Sequence, residues 1–315
     1  MKLRTALASS VGVAGVTALG NRLLRSRAEE FEPYFDGRHD TYRWRGFDVA
    51  YTELGDPANQ DLLLLHGISA AGSSHEFYAV AEQLSEHYHV VAPDLPGFGH
   101  SDRPPLLYSA SLYTTFVRDA IDELVAEDAV VVASSLTGAY AALAVGQPDD
   151  APSVGRLVLV CPSGTTMGDR NAWLRGLLRT PVVGQGLFNL LVSKPSIRHF
   201  HEDHGYYDIA NLPEDIVEYE WVTAHQPGAR FAPASFLSGF LQPEDDIGDA
   251  LANVDAPVTL VWGRNADVSP LSEGRELAER ADAGLVVLDH AKLRPHAEHP
   301  DEFVEIVREG VDVRS

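Results

Sequence analysis

The chain of 315 residues, 45% of them apolar, is long enough to bury one large domain or one domain with an insertion, which excludes a disordered tail protein. Asp and Glu number 46 against 24 Lys and Arg, a formal net charge of -22, and a surface this negative repels phosphate backbones and excludes nucleic acid as a partner. Of the basic residues only Lys2, Lys194 and Lys292 are lysines, an acidic, lysine-poor balance similar to that of proteins from salt-loving microbes, where a Debye length of about 3 Å in molar salt screens the self-repulsion.

In chain order, Lys2 and Arg4 precede a small-residue stretch that is uncharged from Thr5 to Asn21, and Arg22, Arg25 and Arg27 follow it. Seventeen residues diluted by glycine and serine are short for a spanning helix, so a cleaved signal, a weak membrane anchor and a soluble helix all fit residues 1–27. Cys161 stands alone, which forbids an internal disulfide and a cysteine-based zinc site and requires no oxidising compartment. The expected location is therefore the cytoplasm, with or without membrane association through residues 1–27.

From residue 41 the pattern is regular. Tyr42 to Trp44 and Phe47 to Thr52 read as a hairpin around Arg45 and Gly46. Nearly continuous apolar runs at 62–65, 90–92, 130–133, 157–160, 258–262 and 285–288 read as buried parallel strands. Between them lie helical patterns: His75 to Leu84 after Ser73-Ser74, Leu112 to Val125 after Ser111, Glu273 to Ala281 after Ser272, and Asp301 to Val311 after Pro300. Alternation of strand and helix predicts an α/β, doubly wound, mostly parallel sheet. About 90 residues between the fourth and fifth of these parallel runs are too many for a structureless loop. Trp173, Leu174, Leu177, Leu178, Phe188, Leu190, Leu191, Ile216, Tyr219 and Trp221 fall at helical spacing there, predicting a helical insertion whose aromatics pack rather than bind ligand.

The run Val130 to Tyr140 is a strand turning sharply into a helix. A serine on such a strained turn needs small neighbours, and Ala133 and Thr137, followed by Gly138, flank Ser135, whereas Ser134 would have Val132 and Leu136. Serines at helix starts also serve as caps. Leu62-Leu63-Leu64-Leu65-His66-Gly67-Ile68-Ser69 and Val91-Ala92-Pro93-Asp94-Leu95-Pro96-Gly97-Phe98-Gly99-His100-Ser101-Asp102-Arg103-Pro104 accompany it in order, and together the three segments resemble the α/β-hydrolase family over residues 41 to 311. The resemblance implies a core of residues 41–164 and 251–311, a helical cap at 165–250, Ser135 as nucleophile, an oxyanion hole from the N–H groups of Ile68 and Leu136, a small-molecule substrate with an ester, lactone or other acyl group, and no cofactor. His66 and Asp94 are expected to shape loops.

Two positions depart from the family pattern. After Trp262-Gly263 the usual acid position is Ala266, with Asp267 one residue late; the usual histidine, seven before Pro300, is Leu293. Asp267 is the candidate acid and also an ordinary turn residue. His290, at the carboxyl end of its strand, is the candidate base ahead of His296. Either histidine reaches Ser135 only if its loop takes a different path, so two readings stand: a serine hydrolase with a displaced base, and a degenerate member that binds without turnover. His199-Phe200-His201-Glu202-Asp203-His204 resembles the zinc-binding run of metallo-β-lactamase-type hydrolases, but it falls in the predicted insertion rather than after a strand, so a polar helix edge is expected and no metal. Oligomeric state is not legible.

Overall fold

The structure, a computed structural model, describes residues 17–24, 26–28, 31–148, 150–164 and 168–310; the first 16 residues of the expected apolar segment and the expected helix end at Val311 fall outside them. The hairpin forms as β1 (Arg38–Trp44) and β2 (Phe47–Leu54), with Trp44 opposite Phe47 across Arg45 and Gly46. Both turn residues have positive φ, 44° and 93°, the left-handed pair whose twist matches that of the flanking strands.

The six apolar runs become β3 (Asp61–Leu65), β4 (His89–Pro93), β5 (Val130–Ser134), β6 (Arg156–Val160), β7 (Val258–Gly263) and β8 (Gly284–Leu288). They join the hairpin in one eight-stranded sheet of order β1-β2-β4-β3-β5-β6-β7-β8. The β1–β2 and β2–β4 pairings are antiparallel and the other five parallel. Side-chain alternation divides these strands between two cores: Leu63, Leu65, Val131, Ala133, Leu157 and Leu159 face one side, Leu62, Leu64, Val130, Val132, Val158 and Val160 the other. Helices Ala110–Leu124 and Ser135–Val145 cover the first face, and Pro300–Glu309 covers the second with Phe303, Val304 and Val307.

The helix expected from Glu273 after Ser272 begins at Leu271, with Pro270 at its cap, the one expected from Asp301 begins at Pro300, and two other helix starts also differ. Ser109, not Ser111, caps Ala110–Leu124, its hydroxyl accepting the Leu112 N–H at 3.2 Å. The helix expected over 75–84 is a 3-10 turn, Ser74–Phe77, followed after a break by Ala81–Ser85. That turn is tethered inward, because the Ser74 N–H donates to Asp94 and the Glu76 carboxylate accepts the Gly67 N–H.

Between β6 and β7 the chain forms helices Ala172–Arg179, Val183–Leu191, Lys194–Phe200, Glu214–Ala224, Phe231–Leu237 and Ile247–Ala252. They lie over the carboxyl ends of the strands: Tyr140 donates its hydroxyl to the Leu241 carbonyl, and the Leu293 N–H donates to the His204 carbonyl. Leu178 and Phe188 pack as expected, whereas Trp173 is 74% exposed. Among the described residues no helix is long and apolar enough to cross a membrane.

Candidate active site

Ser134 ends β5 and Ser135 begins the following helix with φ 52°, a left-handed conformation that costs a non-glycine residue about 1–2 kcal/mol. The turn is tight around it: a Cβ on Gly138 would lie 3.1 Å from Pro162 and 3.2 Å from the Ala133 carbonyl. Thr137, at the position where a small residue was expected, donates its hydroxyl to the His66 carbonyl at 2.7 Å. Gly67 fills the remaining space, since a Cβ there would sit 3.3 Å from the Ser135 Cβ, 3.4 Å from the Ser134 Oγ and 3.2 Å from Glu76 Oε2. The strand-to-helix turn and the His66-Gly67-Ile68 turn are thus in contact, and Ser135 is partly exposed while Ser134 is buried.

His66 and Asp94 hold these loops. The Leu95 N–H donates to His66 Nε2 at 3.0 Å, which leaves Nδ1 protonated and donating to the Gly67 carbonyl at 2.9 Å, so the ring is neutral; burial lowers its pKa. Asp94 accepts the Ser74 and His100 N–H groups, each at 2.7 Å. Burial by itself would raise its pKa, but the His100 side chain and these two backbone bonds hold it well below the usual carboxylate range. Cys161, directly after β6, is pushed up to about 12 by burial and is no competing nucleophile.

Beside Ser135 runs a buried ionic network. Glu76 accepts the Gly67 N–H at 2.8 Å and the Ser134 hydroxyl; burial opposes its charge, yet Arg294, His296 and Ser134 keep its pKa below the ordinary value. Arg294, 8% exposed, donates to Glu220 at 3.2 Å. Glu220 also faces His201 Nε2 at 2.8 Å and His75 Nε2 at 3.4 Å, and these partners outweigh burial to hold it well below the usual range. The network joins the His66-Gly67-Ile68 turn, the segment after β8 and two helical segments of the insertion. Sequence reading assigned no role to Glu76, Glu220 or Arg294; nothing local marks them, because their partners come from distant segments of the chain.

The expected acid and base are placed elsewhere. Asp267 accepts from His204 Nδ1 at 3.0 and 3.2 Å, both side chains substantially exposed. His290 leaves the end of β8 with φ 54°, exposed, its ring 5.1 Å from that of Tyr207. β8 is three strands from β5, roughly 14 Å at about 4.8 Å per strand spacing. The segment between is pinned: the Asn265 N–H donates to Ala291, Lys292 Nζ to the Glu202 and Asp203 carbonyls, and the Leu293 and Arg294 N–H groups to His204 and Gly205. Leu293 itself packs against the core, as does Ala266 at 7% exposure. His296 is fully buried between Phe77 and Phe303, its Nε2 3.8 Å from Glu76 and neither nitrogen hydrogen-bonded. Among the described residues no hydrogen bond joins the Ser135 hydroxyl to an imidazole.

The histidine run of the insertion also disperses. His199 faces Asp203 at 3.3 Å, His201 turns inward to Glu220, and His204 turns to Asp267, so the run does not gather, and among the described residues no group of three or more His, Cys, Asp and Glu is arranged to hold a metal ion. A cavity of about 580 Å³ lies between helix Ala110–Leu124 and the insertion, lined by Tyr108, Thr114, Arg175 and Phe240 among others, and Ser135 is not part of its wall.

A family model described as "Alpha/beta hydrolase family" matches residues 62–306. The pimeloyl-[acyl-carrier protein] methyl ester esterase of Aeromonas salmonicida is 30% identical over 256 residues, 79% of this chain and 94% of that protein. The 2-hydroxy-6-oxononadienedioate/2-hydroxy-6-oxononatrienedioate hydrolase 2 of Pseudomonas putida is 27% identical over 268 residues, 82% of this chain and 89% of that protein. Among solved structures, the 2-hydroxy-6-oxo-6-phenylhexa-2,4-dienoate hydrolase of a Rhodococcus species superposes with a TM-score of 0.68 at 22% identity, over 86% of this chain and 97% of its own, a likeness of fold.

Proposed function

We propose that this chain, which belongs to the alpha/beta hydrolase family, binds a small ester, lactone or other acyl compound against Ser135 and hydrolyses it through that serine. The observation that carries the reading is the positive φ of Ser135 on a turn bonded to the His66-Gly67-Ile68 turn. A strained serine with the N–H groups of Ile68 and Leu136 as oxyanion donors serves acyl transfer, where each donor typically contributes a few kcal/mol to the transition state.

Two routes would supply the base. Glu76 bonds the neighbouring Ser134 and lies across Gly67 from Ser135, but a carboxylate held below its usual pKa is a weak base, so acylation through it would be slow. His290 with Asp267 would be a stronger pair and would first have to leave Tyr207 and His204, which ties turnover to the insertion. A second reading, a binder without turnover, is favoured by the apolar packing of Ala266 and Leu293.

A fluorophosphonate probe tests the first reading: it should label the protein and not Ser135→Ala, and equal labelling of both removes the serine mechanism. A labelled protein that stays silent across ester and lactone panels leaves the binder.

A further inference from the structure

Residues 17–24 form a helix that lies along helix Val183–Leu191 of the insertion. Asn21 donates to the Val182 carbonyl at 3.2 Å and accepts from Asn189 at 2.9 Å, and Gly186 permits the approach, since a Cβ there would meet Thr17 at 2.7 Å. Both helices turn apolar side chains outward. Leu19 and Leu23, one turn apart, are 69% and 57% exposed, and Val183, Leu187, Leu190 and Leu191 form an i, i+4, i+7, i+8 stripe that is 43 to 65% exposed.

The charge around this face is unlike that of the rest of the chain. No Asp or Glu occurs in residues 1–28, which carry Lys2, Arg4, Arg22, Arg25 and Arg27, while the whole chain has a net charge of -22. The sequence is also uncharged from Thr180 to Ser193, as it is from Thr5 to Asn21. Two acid-free segments, distant in sequence, are therefore side by side, and one of them ends in exposed Arg22 and Arg27.

We infer that this two-helix face docks on the surface of an anionic lipid bilayer, its leucines in the headgroup and acyl boundary and its arginines at the phosphates. Leucines on one side and arginines at the rim are the composition that binds an interface without crossing it. A second copy docking by the same face is a poorer occupant, because it would set Arg22 and Arg27 against their own counterparts.

Co-sedimentation of the full chain with phosphatidylglycerol-containing vesicles and with pure phosphatidylcholine vesicles tests the inference. Binding should be tighter to the anionic vesicles, and Leu187→Asp with Leu190→Asp should weaken it at least about 10-fold, since each buried leucine is worth more than one factor of ten. Arg22→Glu with Arg27→Glu should weaken binding to anionic vesicles only, and less as salt is raised. Ser135→Ala should bind as the parent does, which separates this inference from the hydrolase reading. Circular dichroism melting of the leucine pair, both exposed, should match the parent and show that lost binding is not lost folding. Absence of vesicle binding by the parent overturns the inference, as does binding unchanged by the leucine pair, or a dimer in sedimentation velocity that the pair abolishes while vesicles are ignored.

Discussion

The Thr137 hydroxyl donates to the His66 carbonyl at 2.7 Å, and through that bond the turn carrying Ser135 is fastened to the turn carrying Ile68. Thr137 is fully buried, so the carbonyl has no water to fall back on. Thr137→Val keeps the shape and removes the donor. Stability should fall by about 1–3 kcal/mol, the cost of an unsatisfied buried acceptor, and fluorophosphonate labelling of Ser135 should slow. Unchanged labelling rates would mean that the two turns hold their spacing without this bond.

The strain at Ser135 gives a prediction with opposite signs for stability and reactivity. Ser135→Gly accommodates φ 52° without a Cβ penalty, so the melting temperature should rise by an amount corresponding to about 1 kcal/mol, while labelling is lost. Ser134→Gly, at extended φ -104°, should gain nothing and retain label. A drop in stability for Ser135→Gly would show that the turn is not strained in solution.

Much of this fold is written in short-range pattern. The runs at 62–65, 130–133 and 157–160 are apolar at every position because their strands face a core on both sides, and a two-residue turn with glycine second is readable as a hairpin. Ser135 is legible because its turn demands small neighbours within a few residues. Glu76, Glu220 and Arg294 are not, since burying a charge is tolerable only when its partners arrive from elsewhere in the chain, and an isolated glutamate on a helix reads as a solvated edge. The same holds for Asp267, whose pairing with His204 depends on how the insertion folds back over β7.

His296 should make the protein sensitive to acid. Burial lowers its pKa to about 4, with Glu76 opposing that shift, against about 6.5 in the unfolded chain. Below pH 6.5 the unfolded chain takes up a proton that the folded protein refuses, so stability falls between about pH 6.5 and 4, by on the order of 3 kcal/mol from this ring. His66 and His201, also lowered by burial, add to the same loss. Glu76 and Glu220 act later, because carboxylates held below 4.5 contribute stability that disappears only as pH drops through their folded values. His296→Phe should flatten the pH 6.5 to 4 portion of a denaturation series and leave the portion below 4.5 in place. An unaltered slope above pH 4.5 would mean that His296 is protonated, and paired with Glu76, in the folded protein.

The positions that a serine hydrolase of this fold uses for acid and base hold Ala266 and Leu293, both packed against the core, and this gives the sharpest test of where the proton of Ser135 goes. With His290 roughly 14 Å away at the edge of the sheet, His290→Ala should leave ester hydrolysis within about twofold of the parent. Glu76→Gln keeps an acceptor for the Gly67 N–H but removes the carboxylate, and should slow acylation if Glu76 takes the proton. Ala266→Asp with Leu293→His would place a carboxylate and an imidazole on the two loops that the parent leaves apolar. Because a positioned general base is typically worth about 10² to 10⁴, the double variant should hydrolyse activated esters faster than the parent by that factor, with a new pH dependence near the histidine range. Each single variant should gain less, since the imidazole needs the carboxylate to fix its tautomer. A fall in kcat of about 10³ on His290→Ala, together with loss of activity in the double variant, would instead show that the segment 289–294 swings inward during turnover and that Leu293 is needed where it packs.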